Sequence, residues 1–357
     1  MIRTGRDNLL LADVDALVNT VNCVGVMGKG IALQFRKAWP EMYREYKSAC
    51  RAKAVVPGTM HVWPTDRLTG PRFIINFPTK RHWRANSRME DIELGLEGLV
   101  RTIREHGIRS IAIPPLGAGN GRLDWAEVRT RIVRALQPLE DVDILLWEPG
   151  NAPPVEGRPV HTPPPEWTDA KAAVVALMGQ YRVLDDDLTQ LEVQKLAYFL
   201  QQAGAPLDLR FSPHHYGPYA DGLYHMMQRM EGHFIRGLED RNPAAVLRVD
   251  EDAVVQANQY LAEANGIASQ FERVARLIEG FETPYGMEIL GTLHWVAQGG
   301  EGATSADEAI EAVRAWSSSK RSRMRPRHLR KAWDRLVDQG WVADVPEVAM
   351  ASEAASG

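Results

Sequence analysis

In the first 150 residues, short apolar runs alternate with longer stretches in which apolar side chains recur every three or four positions. The runs at 16–21, 59–62, 73–77, 108–113 and 142–147 are rich in Ile, Val, Leu and Phe and bounded by polar or turn residues, which predicts strands. The stretches at 30–52, 87–106 and 125–137 carry the 3.6-residue period of helices with one apolar face. Strand alternating with helix predicts a three-layer α/β/α sandwich around a mixed or parallel sheet. The pattern then changes. Residues 151–167, Asn-Ala-Pro-Pro-Val-Glu-Gly-Arg-Pro-Val-His-Thr-Pro-Pro-Pro-Glu-Trp, are proline-rich and predict a semi-rigid linker. Beyond them only helical spacing is evident, at 171–181, 189–203, 222–231, 252–280, 284–297, 305–317 and 326–339. The expected organisation is an α/β domain over 1–150, a linker over 151–167, a mainly α-helical domain over 168–345 and a disordered tail over 346–357.

Composition adds two restrictions. Only two cysteines, Cys23 and Cys50, argue against a disulfide framework and a structural zinc site. No run approaches 18 apolar residues and no basic-then-apolar leader opens the chain, so the expectation is a cytoplasmic protein without a membrane partner. The net charge of −4 hides an asymmetry: 22 Lys and Arg face 17 Asp and Glu over 1–150, against 19 and 27 over 168–357. A mildly basic half joined to an acidic half implies different partners for the two.

The candidate chemistry begins where the strand at 16–21 runs through Asn22 into Gly25-Val26-Met27-Gly28-Lys29-Gly30-Ile31. Glycines let a loop turn its N–H groups onto an anion, and the following helix adds its positive end. The spacing fits neither the dinucleotide fingerprint nor the P-loop. A second such loop, Pro114-Pro115-Leu116-Gly117-Ala118-Gly119-Asn120-Gly121, follows the strand at 108–113. Either loop alone is consistent with a tight turn. Two of them at the carboxyl ends of strands in one domain point to a single ligand in the crevice there, most simply a diphosphate.

With Gly5-Arg6-Asp7-Asn8-Leu9-Leu10 at the start, this pair of loops resembles the macrodomain family, the ADP-ribose-binding α/β fold. The resemblance implies that Asp7, with Asn8 and Leu9, meets the adenine. It implies that Thr20, Asn22, Gly28, Lys29, Gly30 and Ile31 embrace the distal ribose and diphosphate. Thr79 would join them, and Gly117, Ala118, Gly119, Asn120 and Gly121 would close over the phosphates. The family's Asn-Ala-Ala-Asn type of segment is matched only loosely, by Asn19-Thr20-Val21-Asn22.

The strand at 73–77 also delivers Thr79-Lys80 to its carboxyl end, and a lysine there resembles the ADP-ribose hydrolases that use an amine. An amine can capture the anomeric carbon and open the ribose as a Schiff base, or act as a general base or electrostatic partner. Those roles stay open for Lys80; a nucleophilic one needs a lowered pKa, toward which Arg81 next door is expected to push. The acid that lysine-using protein hydrolases carry in the second loop is replaced here by Gly121, and Asp124 is expected to cap the next helix. Protein esters are therefore disfavoured as substrates.

Beside Lys80 stand Arg81, His82, Trp83, Arg84 and Arg88, arginines for phosphates and rings for a base, as on a single-strand nucleic-acid platform. The alternative is a solvated loop with its arginines paired to Glu90, Asp91 and Glu93. The whole resembles the DarG family of DNA ADP-ribosyl glycohydrolase antitoxins. That resemblance implies removal of ADP-ribose from thymine bases of single-stranded DNA, with Lys80 as the essential lysine, ADP-ribose as product, and a cognate DarT-like ADP-ribosyltransferase toxin as partner. An ADP-ribose reader and a protein or O-acetyl-ADP-ribose hydrolase remain the alternatives.

In the second half, Gln194-Lys195-Leu196-Ala197-Tyr198-Phe199 and Tyr216-Gly217-Pro218-Tyr219 resemble the Panacea-type antitoxin domain, which implies a toxin-binding module. Leu191, Leu196, Tyr198 and Phe199 are expected to face its core. His214, His215 and His225 lack the carboxylate or cysteine of a usual ligand set, so no metal is expected, and no cofactor. The basic run 320–327 is expected to be a solvated loop leading into the helix at 326.

Overall fold

The computed structural model describes residues 1–67, 69–150, 157–181, 188–239, 242–263, 267–299 and 302–343. The expected tail at 346–357 and the start of the proline-rich segment lie outside the described residues. The chain divides into two compact units, Met1–Pro163 and Pro164–Gly357.

In the first unit the strands are β1 (Ile2–Thr4), β2 (Ala16–Asn22), β3 (His61–Pro64), β4 (Phe73–Lys80), β5 (Ser110–Ile113) and β6 (Asp143–Leu146). The helices are α1 (Gly30–Ala38), α2 (Pro40–Arg51), α3 (Met89–Glu105) and α4 (Trp125–Leu136). The sheet order is β1-β6-β5-β2-β4-β3, parallel throughout except for the antiparallel edge strand β3. Strand residues of alternating direction feed two separate cores. Val18, Ile75, Phe77 and Ile111 pack with Ile92 and Leu96 of α3 and Val128 and Ile132 of α4. Leu17, Val21 and Ile74 pack with Phe35 of α1 and Met42 and Tyr46 of α2. This is the expected α/β/α sandwich with a mixed sheet.

One expected helix is corrected here, and one strand was not foreseen. The helix expected over 30–52 is broken at Trp39: Pro40 takes the first position of α2, where its missing N–H costs nothing, and so cannot continue α1. The edge strand β1, with Ile2 as its one apolar residue, carries too little period to be seen in sequence; it forms by pairing Ile2 with Ile144. The proline-rich segment also does more than space the units. Asn8 Nδ2 donates to Gly157 O at 2.8 Å and His161 N to Lys37 O at 2.8 Å, so residues 157–163 belong with the first unit.

The second unit opens with α5 (Asp169–Tyr181), β7 (Leu188–Thr189), α6 (Gln190–Gln202), β8 (Ser212–His214), β9 (Gly217–Tyr219) and α7 (Asp221–Met230). Then come β10 (Ile235–Arg236), β11 (Val246–Val249), α8 (Glu251–Glu263), α9 (Ala268–Ile278), α10 (Pro284–Gln298), α11 (Ala306–Trp316), α12 (Ser318–Arg323) and α13 (Pro326–Asp338). The helix expected over 252–280 is thus two helices. Leu191, Leu196, Tyr198 and Phe199 are in the core, but α6 is not half-exposed: every residue from Gln190 to Leu200 is buried. Its polar members are therefore hydrogen-bonded inside. Gln194 brackets Ala220, donating to its oxygen at 3.2 Å and accepting from its nitrogen at 3.0 Å, and Lys195 Nζ donates to Pro218 O at 2.6 Å. The Gln-Lys pair of one motif thus holds the Gly-Pro-Tyr turn of the other. The expected solvated loop at 320–327 is also corrected. Lys320 is buried in α12, 2.7 Å from Glu288 Oε1, and Arg323 takes the other carboxylate oxygen.

Candidate active site

Parallel order carries the ends of β1, β6, β5, β2 and β4 to one edge of the sheet, so Asp7, both glycine loops and Lys80 lie along it. Lys80 is the last residue of β4, which runs three residues past the strand expected from sequence. It pairs with Asn22 across a register shift between Val21 and Asn22, and Cys23 N donates to Lys80 O at 3.0 Å. The lysine is thereby fixed on a ladder rather than on a loop. Its Nζ donates to Asn120 O in the second glycine loop.

The same asparagine joins the two loops. A Cβ on Gly30 would stand 3.1 Å from Asn120 Nδ2, so Gly30, with φ +55°, and Asn120 are in close apposition beside Lys80. Partial burial holds the Lys80 ammonium below the ordinary lysine range, and the positive charges of Arg122 and then Lys29 push the same way. Arg81, expected to supply that push, instead pairs with the buried carboxylate of Asp91 at 2.9 Å. Its charge is neutralised there and directed away from the amine.

Loop 1 is braced from within. Asn22 Nδ2 donates to Val26 O at 2.5 Å, and Asn22 Oδ1 accepts from Val24 N at 3.0 Å and Val26 N at 3.3 Å. Tyr46 OH donates to Asn22 O from α2, and Met27 is wholly buried as the loop's anchor. Asn22, expected on the distal ribose, thus uses most of its amide to shape the loop. Lys29 is the N-cap of α1 and gives no side-chain cap, and the first turn carries no acid. The helix start beyond Gly30 therefore suits an anion. Thr20 is half-buried on β2; Thr79 is buried, its Oγ1 donating to Val21 O at 3.4 Å.

Loop 2 is shaped by what it lacks. A Cβ at Gly121 would fall 2.1 Å from Gly117 O and 2.3 Å from Ser87 Oγ, so no side chain fits this position. Ser87 N donates to Gly121 O at 3.0 Å, and Leu123 N to Gly117 O at 3.1 Å. Gly121 is therefore a packing requirement, and an acid there is sterically excluded. Asp124 caps α4 as expected, accepting from Glu127 N at 3.0 Å. Gly119 and Asn120 are exposed at the crest, and Ala118 is half-buried.

At the far end of the edge, Asp7 is exposed with φ +59°, its oxygen accepting from Trp147 Nε1 at 3.0 Å. Asn8 caps the turn that buries Leu9. Beyond Lys80, His82, Trp83, Arg84 and Arg88 are all exposed. The rings of His82 and Trp83 stack at 5.6 Å, and the Arg84 guanidinium lies 4.5 Å over Trp83. Arg81 belongs to the solvated-loop alternative through Asp91, whereas His82, Trp83 and Arg84 form a cation–ring stack. Sequence reasoning missed Arg122, Ser87 and Tyr46. Arg122 stands next to a motif glycine and could have been noticed; Ser87 and Tyr46 reach the site only through packing.

A mixed sheet of this order between two helical layers, with glycine loops ending β2 and β5 along one edge, defines a macrodomain; the Macro domain family matches residues 18–132. The chain is also 45% identical over 340 residues to the DNA ADP-ribosyl glycohydrolase of Thermus aquaticus, covering 95% of this chain and 94% of that one. The chain belongs to that family, the DNA ADP-ribosyl glycohydrolases or DarG proteins, which are hydrolases. The solved macrodomain of Mycobacterium tuberculosis DarG is 56% identical, with TM-score 0.42, covering 42% of this chain and 99% of that one. A Thermosipho africanus DNA ADP-ribosyl transferase-DNA ADP-ribosyl glycohydrolase fusion protein is 32% identical over 148 residues, covering 37% of this chain and 38% of its own. Among the described residues, no helix is long and apolar enough to cross a membrane, and no cluster of three or more His, Cys, Asp or Glu is placed to hold a metal.

Proposed function

We propose that the first unit removes ADP-ribose from a base of single-stranded DNA, with Lys80 acting at the anomeric carbon. The observation that carries this reading is the meeting of Lys80 with Asn120 and Gly30, where both phosphate-type loops converge on one amine. From β1 to β4 the edge spans four inter-strand steps, roughly 19 Å at ~4.8 Å each, room for an extended diphosphate-linked ligand. Asp7 stands at one end for the adenine and Lys80 at the other for the distal ribose. The lowered basicity of Lys80 favours the neutral amine that attack on carbon or proton abstraction requires.

A base nitrogen suits this site better than a carboxylate ester. Gly121 admits no acid to assist a leaving group, and an imide nitrogen departs as a comparatively stable anion without strong assistance. The stack of His82, Trp83 and Arg84 offers an unpaired base a surface beside the amine. The relatives' name, DNA ADP-ribosyl glycohydrolase, supports the same substrate. The second unit is proposed to bind and neutralise a DarT-like transferase, a pairing supported by the fused relative and by the unit's acidic balance.

The test incubates the full chain with an ADP-ribosylated single-stranded oligonucleotide and with a protein ADP-ribosylated on carboxylates, and measures released ADP-ribose. Release from the DNA far exceeding release from the protein is expected. Equal release, or binding of ADP-ribose without any release, overturns the reading. For the second unit, Lys80→Ala overproduced beside the transferase is expected still to suppress it; loss of all suppression overturns a separate inhibitory role.

A further inference from the structure

Asn19 opens the Asn-Thr-Val-Asn segment that leads into loop 1, yet it is wholly buried. It stands in register with Asn76 of β4, which is itself in register with His61 of β3. The three side chains form a ladder across the sheet. Asn19 Nδ2 donates to Asn76 Oδ1 at 2.8 Å, and Asn76 Nδ2 donates to His61 Nδ1 at 3.0 Å. Burial holds His61 below the ordinary histidine range, which keeps its ring the neutral acceptor that this chain of donors requires.

The ladder meets loop 1 through sulfur. Asn19 Nδ2 lies 3.8 Å from Sδ of Met27, the buried anchor of the loop, and Asn76 Nδ2 lies 3.2 Å from Sδ of Met42 on α2. One helical turn on, Tyr46 sets its ring edge-on to His61 at 6.1 Å and its hydroxyl on Asn22 O. Met27 and Asn22, two points at which the loop is fastened, thus lead back to one group. Stability does not account for it. Asn19 and Asn76 alternate along their strands with Leu17, Val21 and Ile74 of the apolar layer, where an apolar pair of the same shape would be nearly neutral or stabilising. The amides instead leave Asn19 Oδ1 buried with no partner among the described residues, a cost that calls for an explanation. What a hydrogen-bonded ladder supplies, and apolar chains do not, is one fixed place for the amide and for the sulfur beside it.

We infer that Asn19, Asn76 and His61 are positioning residues for loop 1: the ladder sets Met27, and Met27 sets the backbone from Gly25 to Gly30 that a diphosphate meets. The inference rests on the reading that loop 1 holds the diphosphate of ADP-ribose. Lys80 is fixed separately, by the backbone pairing of β4 with Asn22 and Cys23. Loss of the ladder therefore weakens binding and spares the chemical step, which appears in KM and not in kcat.

The test compares full-chain variants by thermal melting, by kinetics on an ADP-ribosylated oligonucleotide and by calorimetry with ADP-ribose. Asn19→Leu strips Asn76 Oδ1 of its donor and is expected to lower the melting temperature and to raise KM about tenfold, with kcat within about twofold of the parent. Adding Asn76→Leu removes the orphaned partner, so the melting temperature is expected to return close to the parent's while KM stays raised. Recovery of both together makes the pair ordinary core and overturns the inference, as does a parental KM in either variant. His61 is half-buried, and His61→Leu is expected to raise KM about threefold, the lower part of what one hydrogen bond contributes. His61→Gln, whose amide oxygen can accept from Asn76, is expected to restore it. A parental KM in His61→Leu overturns the inference even where the Asn19 variants do not fold. A parent that binds ADP-ribose but releases none from DNA fails the proposed function instead, and the ladder is then judged on ADP-ribose affinity, expected to fall by the same factors.

Discussion

Lys80, the last residue of β4, donates its ammonium to the backbone oxygen of Asn120, forty residues further along in the second glycine loop. One hydrogen bond thus joins the residue proposed to do the chemistry to the loop proposed to hold the phosphates. Asn120 in turn abuts Gly30 at the start of α1, so the amine sits where both loops meet. A ligand seated between them takes the place of a contact already made.

Replacing the amine separates chemistry from binding. Lys80→Ala is expected to lower turnover of ADP-ribosylated DNA by about 10²–10⁴-fold, the range for losing a positioned proton-transfer group. Loops 1 and 2 remain intact, so ADP-ribose affinity by calorimetry is expected to change less than threefold, roughly within the scatter for single contacts. Undiminished turnover removes Lys80 from the mechanism.

Partial burial of Lys80, and then the charges around it, set its pH dependence. If the neutral amine reacts, the rate rises with pH as Lys80 deprotonates, and the lowered pKa places that rise at lower pH than for a free lysine. Arg122→Gln removes a neighbouring positive charge, raises the Lys80 pKa and moves the rising limb of the pH–rate profile to higher pH. Lys29→Gln moves it the same way by less. Arg81→Gln is expected to leave the limb in place, since that charge is paired with Asp91.

Gly121→Ala tests whether loop 2 is shaped by close packing. The new Cβ meets a backbone oxygen at 2.1 Å, which cannot rotate away. A loss of about 1–3 kcal/mol in unfolding free energy is expected, as for other overpacked sites, together with weaker ADP-ribose binding. Unchanged thermal stability counts against the packing assignment.

Trp83→Ala tests the base platform. Loss of one stacked ring costs about 1–3 kcal/mol in single-strand binding. KM for an ADP-ribosylated oligonucleotide is expected to rise roughly tenfold or more on that basis, while affinity for ADP-ribose alone stays constant. An equal effect on both ligands shows that Trp83 shapes the pocket instead.

The ion pair between α10 and α12 anchors the second unit. Glu288→Ala leaves the buried Lys320 ammonium without its carboxylate, and an unpaired buried charge costs about 3–5 kcal/mol. Adding Lys320→Met is expected to restore much of the lost melting temperature, because a buried pair can be replaced by apolar groups of similar size. A Glu288→Ala variant as stable as the parent shows that water reaches this site.

Much of the first unit is legible in the sequence because its information is local. The runs at 16–21 and 73–77 announce β2 and β4, and the glycines announce loops whose backbone must turn sharply. Lys80 is found by its place at a strand end. What stays hidden depends on partners remote in sequence. Nothing local says that Tyr46 holds Asn22, that Asp91 claims Arg81, or that Ser87 lies against Gly121. In the second unit the basic run at 320–327 looks solvated because sequence shows charge but not the carboxylate that meets it; Glu288, 32 residues earlier than Lys320, decides its burial.

The sequence by itself determined the α/β-then-helical organisation and the two glycine loops, since periodicity and glycine content act within a few residues. It also determined the candidate lysine and the missing acid. Only the tertiary structure decided that the lysine meets Asn120, that burial, with Arg122 and Lys29 rather than Arg81, lowers its basicity, and that Gly121 has no room for a side chain. Those outcomes depend on distances across the sheet edge, and strand order and register fix such distances only when the whole sheet is assembled.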